Sequence, residues 1–219
     1  MATIYELQQL AAQLAHPKGE EGTRLAKMME ETNHNMTKQA LQSLSMEAVQ
    51  HVLEIGHGSA SHVSAFLDRN KNIHYSGLEI SESMHQHALR ENHAVVAAGR
   101  ADFRHYDGNA FPYPSASFCS IFTVNTIYFI EDPATFMTKL SGLLRQNGKL
   151  ALTFATKSFM KQLPFTAYRF NLYEEEDVLR FANPELLAVQ SITRDKEMVL
   201  SKSGDEVERE FVTIVWNKI

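Results

Sequence analysis

His51-Val52-Leu53-Glu54-Ile55-Gly56-His57-Gly58-Ser59-Ala60 decides how the rest of the chain is read. It has the pattern of a buried strand that runs into a glycine turn and then into a helix starting near Ser59 to Ser61. Gly56 and Gly58 flank His57, where the backbone must turn sharply or come close to a ligand. The helix start presents unpaired amides, which Ser59 or Ser61 is expected to cap in part. An α/β sheet makes its nucleotide crevice in this way, beyond the carboxyl end of the first strand.

The ligand class follows from Glu54 more than from the glycines. A dinucleotide fingerprint would read Gly-x-Gly-x-x-Gly, and its third place here holds Ser61. Glu54 lies two residues before the first glycine. A carboxylate there repels a pyrophosphate, by on the order of 2–3 kcal/mol at ~6 Å in a partly desolvated cleft. It favours a ligand with a cation nearby. S-adenosylmethionine (SAM) has an ammonium, a sulfonium and no phosphate.

Glu-x-Gly-x-Gly followed by a small residue resembles motif I of the class I SAM-dependent methyltransferases, in particular the ubiquinone/menaquinone-biosynthesis kind (methyltransferase type 11). Ala60 stands where that family often has a third glycine. The resemblance implies a Rossmann-like, seven-stranded mixed α/β sheet with helices on both faces. Further landmarks keep order and spacing over roughly residues 50–157. Ile73 to Ile80 reads as a second strand ending in an acid, and Glu79 lies 21 residues beyond Gly58. That spacing suits an acid that reaches ribose hydroxyls, and a carboxylate can accept from both at once. In the family this acid binds the ribose of SAM and the next residue, here Ile80, packs on adenine. After a third strand, Ala101 to Tyr106, comes Asp107-Gly108. This is an ordinary turn signal, and the resemblance makes it the pair that meets adenine through the Asp107 carboxylate and the Gly108 amide. Phe111-Pro112-Tyr113 resembles the Leu-Pro-Phe that commonly follows.

Ser117 to Val124 is a nearly all-apolar fourth strand, as in a sheet covered on both faces. Cys119 within it is read as a small buried hydrophobe. The strand ends in Asn125-Thr126-Ile127-Tyr128, so Asn125 and Tyr128 face the crevice and are candidates for touching the reacting end of SAM or the acceptor. Pro133 opens a helix after Asp132, expected to stop at Gln146-Asn147-Gly148. Lys149 to Ala155 is then the fifth strand.

Residues 1–47 are read as an N-terminal helical extension, a candidate lid or plain cover, before a methyltransferase domain over 48–219. Breaks are expected at His16-Pro17-Lys18-Gly19 and at Asn33-His34-Asn35, giving three helices. In the last third, the apolar connection Lys157 to Leu172 is expected to line a pocket. Tyr173 to Asp177 reads as the acidic first turn of a helix. Ser191 to Leu200 and Glu210 to Trp216 read as strands joined through Ser203-Gly204-Asp205, the closing hairpin of the class I fold.

Composition limits the alternatives. The net charge of −5 gives no basic surplus for a nucleic acid, and the apolar share of 44% suits a globular core. Cys119 is the single cysteine, as expected of a reducing compartment. No signal peptide is read at Met-Ala-Thr-Ile-Tyr-Glu. The longest apolar stretch, Phe118 to Ile130, is too short and too polar to span a bilayer. A cytoplasmic location is expected. The ten histidines lack metal-ligand spacing, and no metal is expected. The Gly-Lys-Ser/Thr of a phosphate loop is absent.

Methyl transfer from a sulfonium is an in-line displacement, and alignment alone is worth up to ~7–11 kcal/mol. Candidate catalytic residues are His57, as a proton carrier, with Asn125 and Tyr128 orienting the acceptor. Candidate cofactor-binding residues are Glu54, Gly56, His57, Gly58, Glu79, Ile80, Asp107, Gly108 and Asn125. The expected partner is a small-molecule methyl acceptor, and the expected product is S-adenosylhomocysteine. A non-catalytic SAM- or nucleotide-binding module is the alternative, and an NAD-dependent oxidoreductase is a third.

Overall fold

A computed structural model describes residues 2–44, 50–200 and 206–219. Helices α1 (Ile4–Ala15) and α2 (Gly19–Ser43) precede an alternation of strands and helices: β1 (Gln50–Ile55), α3 (His62–Arg69), β2 (Ile73–Glu79), α4 (Glu82–Glu91), α5 (His93–Ala97), β3 (Ala101–His105) and β4 (Phe118–Val124). Then follow α6 (Pro133–Leu143), β5 (Leu144–Ala155), α7 (Lys157–Met160), α8 (Glu175–Phe181), β6 (Leu187–Leu200) and β7 (Glu206–Lys218). The strands form one seven-stranded sheet in the order β3-β2-β1-β4-β5-β7-β6. β1 to β5 run parallel, and β7 joins antiparallel to β5 with β6 antiparallel to β7. The strand order reverses between β1 and β4, which opens a crevice at their carboxyl ends.

Alternation along the strands feeds two cores. Leu53, Ile55, Ile121, Leu152 and Trp216 pack against Phe136, Met137 and Leu140 of α6. Val52, Tyr75 and Phe122 pack on the other face against Val63 and Leu67 of α3 and Ala40 and Leu44 at the end of α2. Glu54 shares the Val52 face, which aims it at α2 and α3 instead of α6. Ala40 and Leu44 are fully buried, so the second half of α2 belongs to the core.

Local chemistry explains several boundaries. Thr3 and Glu6 form a reciprocal capping box on α1. Ser81 accepts from the Met84 amide at the start of α4, and Asp132 caps α6 ahead of Pro133. Glu174 and Asp177 cap α8 reciprocally, with three acids in its first turn.

Four expectations need correction. The break at Asn33-His34-Asn35 does not occur, and α2 runs unbroken for 25 residues. Asn33 and Asn35 bond tertiary partners instead of their own backbone, so the local competition that makes Asn a helix breaker is removed. Ser59 and Ser61 do not cap α3. Ser59 Oγ donates to Glu30 at 2.8 Å, and Ser61 makes no side-chain cap bond. Helix α6 stops at Leu143, because Leu144 already pairs with Phe118; Gln146-Asn147-Gly148 becomes an irregularity within β5, with Asn147 at φ 61°. Cys119 is only half-buried, with Arg145 Nη1 3.7 Å from its sulfur. The expected joint at Ser203-Gly204-Asp205 lies outside the described residues.

Candidate functional site

A cleft of about 1590 Å³ lies at the carboxyl ends of β1, β2 and β4 and beneath α2. Its floor is the glycine turn. Gly56 has φ 74°, and its amide donates to Leu78 O at 2.8 Å. A Cβ there would lie 2.3 Å from Thr126 Cγ2, so only glycine fits. Gly58 has φ 57° and meets nothing within 4 Å of its would-be Cβ, so this position opens on empty space.

Two buried carboxylates flank the turn. Glu79 is 6% exposed; its Oε2 accepts from the Gly58 amide at 2.9 Å and its Oε1 from the Ser81 amide at 2.8 Å. Burial raises its pKa, against the pull of those amides. Two acceptor positions of the carboxylate remain for a ligand diol. Glu54 Oε2 accepts from Tyr75 Oη at 2.5 Å and from His62 Nε2 at 2.9 Å, while Oε1 has no partner among the described residues. Burial pushes Glu54 upward, but His62 and Tyr75 outweigh it and its pKa falls below the ordinary value. Burial pushes His62 down, and Glu54 beside it wins, so its pKa rises. Burial, then Glu54, raise Tyr75 well above the usual tyrosine range.

Further along the rim, Asp107 Oδ1 accepts from the Asn109 and Ala110 amides, both at 2.8 Å, which lowers its pKa and leaves Oδ2 without a partner among the described residues. Gly108 lies beside Ile80, with 3.6 Å between a would-be Cβ and Ile80 Cγ2. Asp107, Gly108 and Ile80 all line the cleft. The His57 ring is buried and stands edge-on to Phe103 at 5.0 Å. Its Nδ1 donates to Gly58 O at 2.9 Å, and Nε2 has no partner among the described residues. Burial lowers its pKa to about 4, so the ring is neutral at physiological pH.

The opposite wall is assembled from distant segments. Asn125 holds φ 58° at the end of β4. Its Nδ2 donates to Asn33 Oδ1 at 3.1 Å and lies 3.3 Å from Met36 Sδ; its Oδ1 accepts from Tyr128 Oη at 3.0 Å. Tyr128 is buried, also accepts from the Ala155 amide at 2.6 Å, and is pushed above the usual tyrosine range by burial. Arg209 of β7, 6% exposed, donates to Asn33 Oδ1 at 3.1 Å, to Thr32 O and to Glu197 Oε1 at 2.6 Å. Glu197 Oε2 accepts from Asn35 Nδ2 at 2.7 Å. α2 is thus stitched to the sheet at the rim. Arg209, Glu197 and His62 went unread in the sequence, and Asn33 was read only as part of a helix break. The only trace of Arg209 is its phase with Val207 and Phe211 in the strand alternation.

Next to the cleft lies a chamber of about 100 Å³, whose lining includes Phe159, Met160, Phe165 and Phe170. The apolar connection after β5 therefore lines a cavity, as its composition led us to expect. Chamber and cleft share Leu14, Met29, Asn33, Asn125 and Phe129. Among the described residues no group of three His, Cys, Asp or Glu could hold a metal ion. No described helix is long and apolar enough to cross a membrane.

Comparison with known proteins finds methyltransferases by both sequence and fold. Residues 53–152, from β1 into β5 and a little under half of the chain, match the family described as Methyltransferase domain. O-methyltransferase resE of Aspergillus sclerotiorum is 23% identical over 57% of this chain and 47% of its own length. The chain spans about half the length of that fungal relative. The uncharacterised methyltransferase YdaC of Bacillus subtilis is 25% identical over 73% of this chain and 91% of its own. Among solved structures, geranyl diphosphate C-methyltransferase from Streptomyces coelicolor A3(2) superposes with a TM-score of 0.69 at 12% identity, covering 95% of this chain and 88% of that one. At that identity the likeness establishes the fold.

Proposed function

We propose that this chain is a SAM-dependent methyltransferase acting on a small-molecule acceptor and releasing S-adenosylhomocysteine. One observation carries the reading: two buried carboxylates at successive strand tips flank a glycine turn that opens on empty space. That donor set fits SAM. Glu79 would take the ribose hydroxyls with the acceptor positions its amide bonds leave free. Glu54, through its unpartnered oxygen, would favour the cationic methionine end over a phosphate. Asp107 Oδ2, the Gly108 amide and Ile80 would meet the adenine. When bound, SAM supplies a methyl group on a sulfonium with a good leaving group. The chain's own work is then alignment and exclusion of water. Asn125 and Tyr128 fix the wall between cleft and chamber. His57, neutral and packed on Phe103, shapes the turn; we assign it no proton transfer.

The relatives named O-methyltransferase support the same activity. The separate chamber beside the cleft favours catalysis over a binding-only module, which needs no second compartment. The single cysteine fits a cytoplasmic setting. Calorimetric titration with SAM, S-adenosylhomocysteine and NADH tests the reading. Saturable binding of the first two is expected. Binding of NADH without SAM would overturn it.

A further inference from the structure

The chamber carries an inference about the acceptor, and it rests on the methyltransferase reading above. We propose that the acceptor presents an uncharged apolar ring bearing an acidic hydroxyl, a phenol or an enol, and that the ring sits in the chamber beside Asn33 and Asn125.

Size comes first. At about 100 Å³ the chamber holds one small ring. A cavity of about 150 Å³ with aliphatic and aromatic walls takes benzene. Here Phe159, Met160, Phe165 and Phe170 supply comparable walls. Charge comes second. Among the described residues Arg209 is the single charged side chain in the lining, and Glu197 neutralises it at 2.6 Å. Among the described residues a carboxylate or phosphate finds no free guanidinium fork there, and an ammonium finds no free acid. Either charge would be buried without a partner, which is strongly unfavourable. Polarity of the shared wall comes third. Arg209 can only donate, so Asn33 must turn its oxygen toward it and toward Asn125. This leaves the Asn33 Nδ2 group, which has no partner among the described residues, as the donor on the wall between chamber and cleft. A donor suits an oxygen, and above all an oxygen shedding its proton; it does not suit an ammonium.

In the reaction, an oxygen lone pair forms the bond to the methyl carbon as the carbon–sulfur bond breaks, its electron pair staying on sulfur. The hydroxyl proton leaves to water in the cleft. An acidic hydroxyl needs no strong base, which agrees with a chamber lined by no carboxylate or histidine among the described residues.

The test uses the full chain with S-adenosylhomocysteine bound and three probes of one shape: 4-fluorophenol, 4-fluorobenzoate and 4-fluorobenzylammonium. Fluorine NMR reads binding, and mass spectrometry with SAM reads methylation. The phenol is expected to bind and to yield its methyl ether. Met160→Trp, which fills the chamber, is expected to weaken phenol binding about tenfold or more, the scale of an overpacked site. Phe170→Ala, which empties space, is expected to admit 2-naphthol in its place, so the proposal stays testable if the tryptophan variant fails to fold. SAM affinity should stay within about twofold in both variants, since neither residue lines the cleft. Preference for either charged probe, or phenol binding indifferent to both substitutions, overturns the proposal. Failure to bind SAM at all would instead strike the methyltransferase reading beneath it.

Discussion

The two sides of the site are built by different means. On the β1–β2–β3 side, backbone amides and carboxylates a few residues from a strand end do the work: Gly58 and Ser81 hold Glu79, and the turn after β3 holds one oxygen of Asp107. On the β4–β5–β7 side, side chains meet across great sequence distance. Asn125 and Asn33 are 92 positions apart, and Arg209 and Asn33 are 176 apart. The first side is a set of local motifs and tolerates little change. The second is a tertiary assembly, free to vary with the acceptor so long as its buried polar groups stay paired.

That contrast predicts where substitutions fall. The largest effect should come from Arg209→Met, which leaves the mostly covered Glu197 without its cation. A loss of about 3–5 kcal/mol is expected in urea unfolding. Arg209→Met with Glu197→Met should recover most of it; equal losses in single and double variants would mean the pair does not hold the wall. Next is Gly56→Ala. Left-handed strain of about 1–2 kcal/mol adds to the clash with Thr126. Gly58→Ala carries the same strain without the clash, so its thermal midpoint should fall less, while its methyl group intrudes on the cleft and weakens SAM.

Third, Glu79→Ala should weaken SAM by about 1–3 kcal/mol in calorimetry, the value of lost charge-assisted hydrogen bonds, and leave phenol binding unchanged. A parallel loss of both ligands would erase the division between the two sides.

The smallest effect is on pH. His62 faces Glu54 of β1 and Glu30 of α2, with His57 nearby. Its folded pKa is raised above 6.5, so its contribution is full below 6.5 and is lost as pH rises through the raised value. Glu54 is lowered below 4.5, so its contribution is present above 4.5 and lost as pH falls through the lowered value. The pair therefore helps most between these limits, by no more than about 1 kcal/mol at a partly exposed histidine. Thermal midpoints of the ligand-free protein should fall from about pH 6 to about pH 9, and His62→Gln should flatten that fall. Identical slopes would show that the pair is not formed.

Sequence patterns reveal the first side because its determinants are short-range. A glycine turn two residues after Glu54 and an acid at the next strand tip are adjacent letters with fixed geometric meaning. The alternation of apolar strands and helices likewise carries the α/β class. The second side stays hidden for the converse reason. Asn33-His34-Asn35 looks like a helix break until Asn125, Arg209 and Glu197 are seen waiting for its amides. The end of α6 was misplaced because Leu144 is claimed by pairing with Phe118, a contact that local propensity does not contain.

Asn125 adds one consequence. Its carboxamide is engaged by α2, by Tyr128 and by the Ala155 amide at the end of β5. The post between the cleft and the chamber is therefore held upright by the protein's own bonds. A wall braced in this way costs a ligand nothing to order, so on the proposed reading cofactor and acceptor meet a surface already set for both.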